Sequence, residues 1–423
     1  MNATEMRCLQ VIHDRPEDDD ARRVYADWLS ERGDDRGELI TIQCMRATLD
    51  ENDPRRGDIA GREGELIWRH EREWLGPLQP RRTHFAFARG FLAHPLVVTS
   101  QQLAENRDLL LRLVPTLYEV VREVSAPGRQ RVLLEARIHG AEHVTGRCAL
   151  RRYALPERQG ECMHLGAAAD PEVAFYIEQR IAGWTHHPNL VRGVGLAYGW
   201  NGDTSLAFEW LDGADLRTLR TEYRDLPLDP GLAAWIVSQV CLGLEHMHTA
   251  TDTQGLALGL IHQRVRPQHV MLTVDGQVKL IDFSDATSST EAGPHPEFGD
   301  LVLASGRDRV CCHDDDDYAS MLPAEREVSR QADILAAALL LCDLVSGHTQ
   351  FRSRRGAGFQ AAVREALRRA PTLQWIALDA LRHATARELH RSLEDAIHQK
   401  GWPAGPAVVS RYVNAVIRSE PHP

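Results

Sequence analysis

From about residue 129 the chain runs through short β-rich segments, and from about residue 212 to 400 through long helical ones. Strands first and helices second point to an α+β unit with a β-rich small lobe and a helical large lobe. Two stretches of the second half carry strong local signals. Ala233–His248 places Val237, Val240, Leu244 and Met247 on one helical face. Thr273–Val278 folds back at Asp275-Gly276, a pair favoured in tight hairpin turns.

Ahead of this unit, residues 1–45 read as helical. Asp18, Asp19 and Asp20 supply N-cap and first-turn carboxylates for a helix whose apolar side is Val24, Tyr25, Trp28 and Leu29. Gly33-Asp34 ends it, and Leu39, Ile40 and Ile42 open the next face. Glu63–Leu75 is expected as a helix, Phe85–Phe91 as a half-buried strand by its period of two, and Gln101–Val124 as a helix kinked or broken at Pro115. Ala126-Pro127-Gly128 marks a boundary. The expected domains are 1–50, a helical module; 51–128, a mixed bridging region; 129–211 and 212–400, the small and large lobes; and 401–423, a tail.

Composition narrows the partners. A net charge of −11 opposes general binding to nucleic acid or anionic membranes, which would repel the chain at long range. Eight cysteines in 423 residues, irregularly spaced, make no disulfide framework and suit reduced thiols. The N-terminus lacks the basic head and apolar core of a signal peptide, and no apolar run is long enough to span a bilayer. The expectation is a cytoplasmic protein with protein partners.

Val24–Ile40, VYADWLSERGDDRGELI, resembles the bacterial repeat-companion domain, with its Y-A-D-W-L-E-E-R-G-D-x-R-G-E run. Within residues 129–400, Cys148-Ala149-Leu150-Arg151, and Glu178 ahead of His187-Pro188-Asn189-Leu190-Val191, resemble the V-A-I-K segment and the αC glutamate ahead of H-P-N-I-V in a eukaryotic-type Ser/Thr protein kinase domain. Leu206–Gly213 resembles the hinge, and Ile261–Leu272, IHQRVRPQHVML, the catalytic loop H-R-D-L-K-P-x-N-I-L-L. Val278–Ser284 matches V-K-L-x-D-F-G, and Ala332-Asp333-Ile334 through Gly347 matches S-D-V-W-x-x-G…L-L-T-G.

The resemblance implies ATP and magnesium as cofactors, and the substitutions bear on that chemistry. Arg264 holds the place of the catalytic-loop aspartate, and a guanidinium has no lone pair with which to take a proton. It would either grip an anion or pair locally. His269 replaces the asparagine that supports magnesium, a hard cation that prefers oxygen. Arg151 replaces the phosphate-gripping lysine and would pair with Glu178. Arg137–Gly146, taken as the phosphate-covering loop, has one glycine at its centre and a carboxylate, Glu142, where phosphates would lie. Asp282 alone persists, as a candidate metal ligand and nucleotide-site residue. The pattern looks like a pseudokinase acting as a binding or scaffolding unit in bacterial signalling, binding ATP with magnesium weakly if at all. The alternatives are an active kinase or other ATP-dependent transferase with a replacement base such as Asp285, and an adaptor working through residues 1–128. Cys311-Cys312-His313 with Asp314–Asp317 reads as an acidic activation-type loop closing over a basic groove, and Glu325 as the glutamate of Y-x-A-P-E.

Overall fold

The computed structural model describes residues 1–78, 86–124, 131–140, 144–153, 171–200, 203–222, 227–289, 329–347, 357–380 and 385–418. The chain divides into two compact units, residues 1–162 with 194–210, and residues 163–193 with 211–423.

The first unit begins with four helices, α1 (Ala3–Asp14), α2 (Asp19–Ser30), α3 (Arg36–Thr48) and α4 (Arg55–Leu75). Asp18 caps α2, its carboxylate accepting from the backbone of Asp20 and Ala21. Helices α2 and α3 cross tightly because position 37 is glycine; a Cβ there would stand 2.5 Å from the carbonyl oxygen of Ala26. Arg36, buried beside it, donates to the carbonyls of Gly90 and Arg112. The expected strand over Phe85–Phe91 is instead a hairpin of β1 (Phe87–Ala88) and β2 (Phe91–Leu92). The chain reverses at Arg89-Gly90, where both residues have positive φ.

After β3 (Leu96–Thr99), helix α5 (Ser100–Leu113) ends well short of the expected Val124, and Leu117–Glu123 is a strand, β4. Pro115 is a break, not a kink. It disfavours helical backbone at the residue before it, and Val114 is extended at φ −133, ψ 137. Strands β5 (Arg131–His139), β6 (Val144–Tyr153), β7 (Gly193–Gly199) and β8 (Thr204–Glu209) complete a closed barrel in the order β3-β4-β5-β6-β8-β7. β3 pairs in parallel with both β4 and β7. Its Val97 enters the barrel core with Tyr118, Leu134, Cys148 and Leu150. Its Leu96 and Val98 face the other way, into a core shared with Leu9, Tyr25, Leu39, Phe91 and Leu110. Ala126-Pro127-Gly128 lies outside the described residues, and β4 and β5 pair across it from Leu117↔His139 to Glu123↔Leu134.

The second unit contains α6 (Pro171–Trp184), β9 (Gly213–Asp215), α7 (Leu216–Glu222), α8 (Pro230–Thr249), β10 (Leu260–Ile261), β11 (Val270–Thr273), β12 (Val278–Leu280), β13 (Thr287–Ser288), α9 (Arg330–Ser346), α10 (Ala357–Ala366), α11 (Pro371–Ala380), α12 (Ala386–Lys400) and α13 (Pro406–Arg418). The apolar face of α8, with Val237, Val240, Leu244 and Met247, is fully buried. β11 and β12 form the expected hairpin, with Gly276 at φ 93. Helix α13 sits on its turn: Ser410 Oγ and Asn414 Nδ2 donate to the Val274 carbonyl at 2.6 and 3.0 Å. Among the described residues no helix is long and apolar enough to cross a membrane.

Candidate functional site

The segment from β10 to β11 carries no regular structure except one 3-10 turn at Pro267–His269, so side chains must fix it. Asp333, in the first turn of α9 and wholly buried, does most of this. Its carboxylate accepts from the backbone N–H of His262 and of Gln263, each at 2.8 Å, and from His248 Nε2 at 3.0 Å. Held this way, Gln263 adopts a left-handed backbone, φ 64. Such a conformation costs a non-glycine residue of order 1 kcal/mol and survives only where neighbours impose it.

His262 is buried beneath the loop, with its Nε2 3.2 Å from the Ile281 carbonyl and its Nδ1 accepting from Arg264 N at 3.2 Å. Its ring meets Phe283 edge to face, 5.7 Å between centroids. Burial pulls this imidazole down to about 4, against the nearby charge of Asp333, so it is neutral at physiological pH.

The loop brings Arg264, His269 and Asp282 together. Arg264 Nε lies 2.8 Å from Asp285 Oδ2. This is the local pairing that was one of the two readings of Arg264, and it engages the carboxylate considered as a replacement base. His269 Nδ1 donates to the Arg264 carbonyl at 2.8 Å, which leaves Nε2 facing Asp282 Oδ2 at 3.3 Å. Burial lowers the proton affinity of His269, and Asp282 only partly offsets it. Asp282 is itself left-handed, φ 66, and accepts from Ser284 Oγ at 2.7 Å. Glu178, on α6 and 1% exposed, accepts from the backbone N–H of Phe283 at 3.3 Å, so it reaches the segment that carries Asp282. A carboxylate and an imidazole nitrogen are the donors here, and they do not fit the all-oxygen shell of magnesium.

Arg151 belongs to the first unit. On β6, Cys148 and Leu150 point into the barrel and Arg151 to the other side, its guanidinium 5.8 Å from the centre of the Phe208 ring. Kinases carry the phosphate-gripping lysine on the third strand of the small lobe. Counting from β4, Arg151 is on the third strand and Arg137–Gly146 is the turn between the second and third. The reading of that segment as the phosphate-covering loop is therefore corrected. The connection between the first two strands is residues 124–130, of which only Val124 is described, and Glu142 is also outside the described residues. Cys311–Asp317 and Glu325 lie outside them as well. The contacts that Asp285 and His248 make left no separate sign in the sequence, because each partner is distant in the chain or has no motif of its own.

A helical unit with this aspartate-anchored loop, joined to a unit whose barrel carries β4 to β8 in kinase strand order, defines an α+β protein-kinase fold. The chain belongs to the protein kinase domain family, whose model matches residues 166–399. That match leaves out β3 to β6, Arg151 included. Curated relatives include the tyrosine-protein kinase MasK of Myxococcus xanthus, 27% identical over 55% of this chain and 34% of its own. The serine/threonine-protein kinase PknH of Mycobacterium tuberculosis is 28% identical over 42% of this chain and 25% of its own. This chain thus spans about a third or less of those relatives. The crystal structure of the Mycobacterium tuberculosis PknI kinase domain aligns over 66% of this chain and 96% of its own, with 21% identity and a TM-score of 0.44.

Proposed function

We propose that this protein is a kinase-family member impaired in phosphoryl transfer, which acts as a cytoplasmic binding or scaffolding unit for a protein partner in bacterial signalling. One observation carries the reading: the position that needs a proton acceptor holds the Arg264 guanidinium, and a neighbouring carboxylate, Asp285, is engaged with it at 2.8 Å. A general base contributes about 10²–10⁴-fold to such a reaction, and a permanently protonated group contributes none of it. The donor pair His269 and Asp282 supports the same reading, since it suits a softer cation than magnesium.

The test is transfer from labelled ATP to a generic protein substrate, with magnesium or manganese. The expected result is no turnover by the wild type. Turnover that disappears in Asp282→Asn would overturn the reading. In parallel, thermal shift with magnesium and ATP should give little stabilisation of the wild type and more of the double variant R264D/H269N, since ligand binding to the folded state raises stability by mass action.

A further inference from the structure

Helices α8 and α12 of the second unit pack side by side, and a groove of about 370 Å³ opens between them. It is lined by His187, Glu245, His246, Arg387, His390 and Arg391, none of which belongs to the Arg264–Asp282 centre. We propose that this groove is a binding site for a phosphate group, free or carried on a phosphorylated side chain.

The charges are placed against the preference of the helix that carries them. A helix N-terminus has positive partial charge and favours acidic neighbours. Yet Arg387, His390 and Arg391 all fall within the first two turns of α12. The one acid there, Glu388, is turned back to the cap, its carboxylate accepting from Thr385 N at 2.8 Å. Arg387 is 3.2 Å from Glu245 of α8. Arg391 is exposed and makes no ion pair or side-chain hydrogen bond among the described residues. An anion in the groove would relieve this crowding and meet the N-terminal dipole favourably.

The imidazoles supply directed hydrogen bonds. Ser238 gives its hydroxyl proton to Glu394 at 2.5 Å, so it accepts from His390 Nδ1 at 2.9 Å. That fixes the His390 proton on Nδ1 and leaves Nε2 as the ring's second polar atom. His187 Nδ1 accepts from Asn189 N at 3.1 Å, which puts its proton on Nε2 as a donor. His246 stacks on His187 with ring centroids 5.0 Å apart, and its Nε2 is buried with no hydrogen-bond partner. A metal ion is the other ligand that histidines suggest, but among the described residues no group of three His, Cys, Asp or Glu side chains could hold one. Two guanidiniums and proton-bearing imidazoles instead match the several acceptor oxygens of a phosphoryl group.

Binding should strengthen on acidification. Burial holds the proton affinity of His187 and His246 below the ordinary imidazole value, and the charges of His246 and Lys279 on His187, and of His186 on His246, act in the same direction. Glu245 of α8 also lines the groove, paired with Arg387, and Glu394 of α12 is held by the Ser238 hydroxyl.

The test uses the full chain, titrated calorimetrically at pH 6 and pH 8 with inorganic phosphate, sulfate and a phosphoserine peptide. Sulfate keeps its double charge throughout, so a pH effect seen with it belongs to the protein. Expected are tighter binding at pH 6 and roughly tenfold weakening in Arg391→Gln, the loss of one charge-assisted contact. Arg391 is exposed, so that variant should fold; His390→Gln gives a second readout. A peptide that binds more tightly than inorganic phosphate would identify a phosphorylated side chain as the source, and the reverse order would identify free phosphate. No binding by any probe, binding unchanged in both variants, or binding lost in Arg264→Gln instead would overturn the proposal.

Discussion

Asp333 accepts three hydrogen bonds at full burial, so its removal strands two backbone N–H groups and the His248 ring together. Breaking a buried charged network from one side costs about 3–5 kcal/mol. Asp333→Ala should lower stability by that amount in urea denaturation, and should do so whatever the activity of the loop. His262 makes a separate prediction about pH. The unfolded ring takes up a proton near 6.5, the folded ring only near 4. Between those values the unfolded state binds more protons, so stability falls as pH drops through the window. From pH 7 to pH 5 this one ring should cost about 2 kcal/mol by that linkage. His13, His187, His246 and His269 are shifted in the same direction. The comparison is therefore wild type against His262→Gln, whose urea midpoint should decline less on acidification. Equal declines in the two proteins would refute it.

At the scale of elements, the hairpin of β11 and β12 was legible because Asp275-Gly276 encodes its turn locally. What docks on that turn was not. A Cβ at position 276 would stand 2.0 Å from the Pro406 carbonyl oxygen, at a φ of 93 that suits glycine. Gly276→Ala should therefore destabilise the protein by at least about 1–3 kcal/mol from strain alone, and should expose α13 to proteolysis before the rest of the second unit. Limited digestion followed by mass measurement checks this; an unchanged digestion pattern would show that α13 is not held by the turn. The same contrast runs through the helices and strands. Asp18 capping α2 and the apolar face of α8 were readable from a few neighbouring residues. Leu117–Glu123 misled because leucines at helical spacing continue past Pro115, while the strand's stability comes from β5, out of reach of any short window. The candidate centre divides likewise. Arg264 and His269 were legible as substitutions within a known pattern and Asp282 as its retained aspartate, whereas the Arg264–Asp285 pairing needed the fold of the loop.

At the scale of the whole molecule, the sequence suggested cutting the chain near residue 128, and the barrel argues against it. β3 bonds to both β4 and β7, and β4 bonds to β5, so the barrel has no free edge only while residues 96–123 are present. A fragment beginning at residue 129 would leave β5 and β7 as unpaired edges and would open the core that holds Leu134, Cys148 and Leu150. Exposed edges of that kind template pairing between chains. The loss is not confined to the strands, because Leu117, Leu96 and Val98 also belong to the core of α1 to α5. Both fragments of such a cut, 1–128 and 129–423, should therefore be aggregation-prone, whereas the intact chain should not. Size-exclusion chromatography of the three proteins at matched concentration tests this. If residues 129–423 eluted as a soluble monomer with a cooperative thermal transition, closure by β3 would be dispensable, and residues 1–128 could be treated as a separable adaptor.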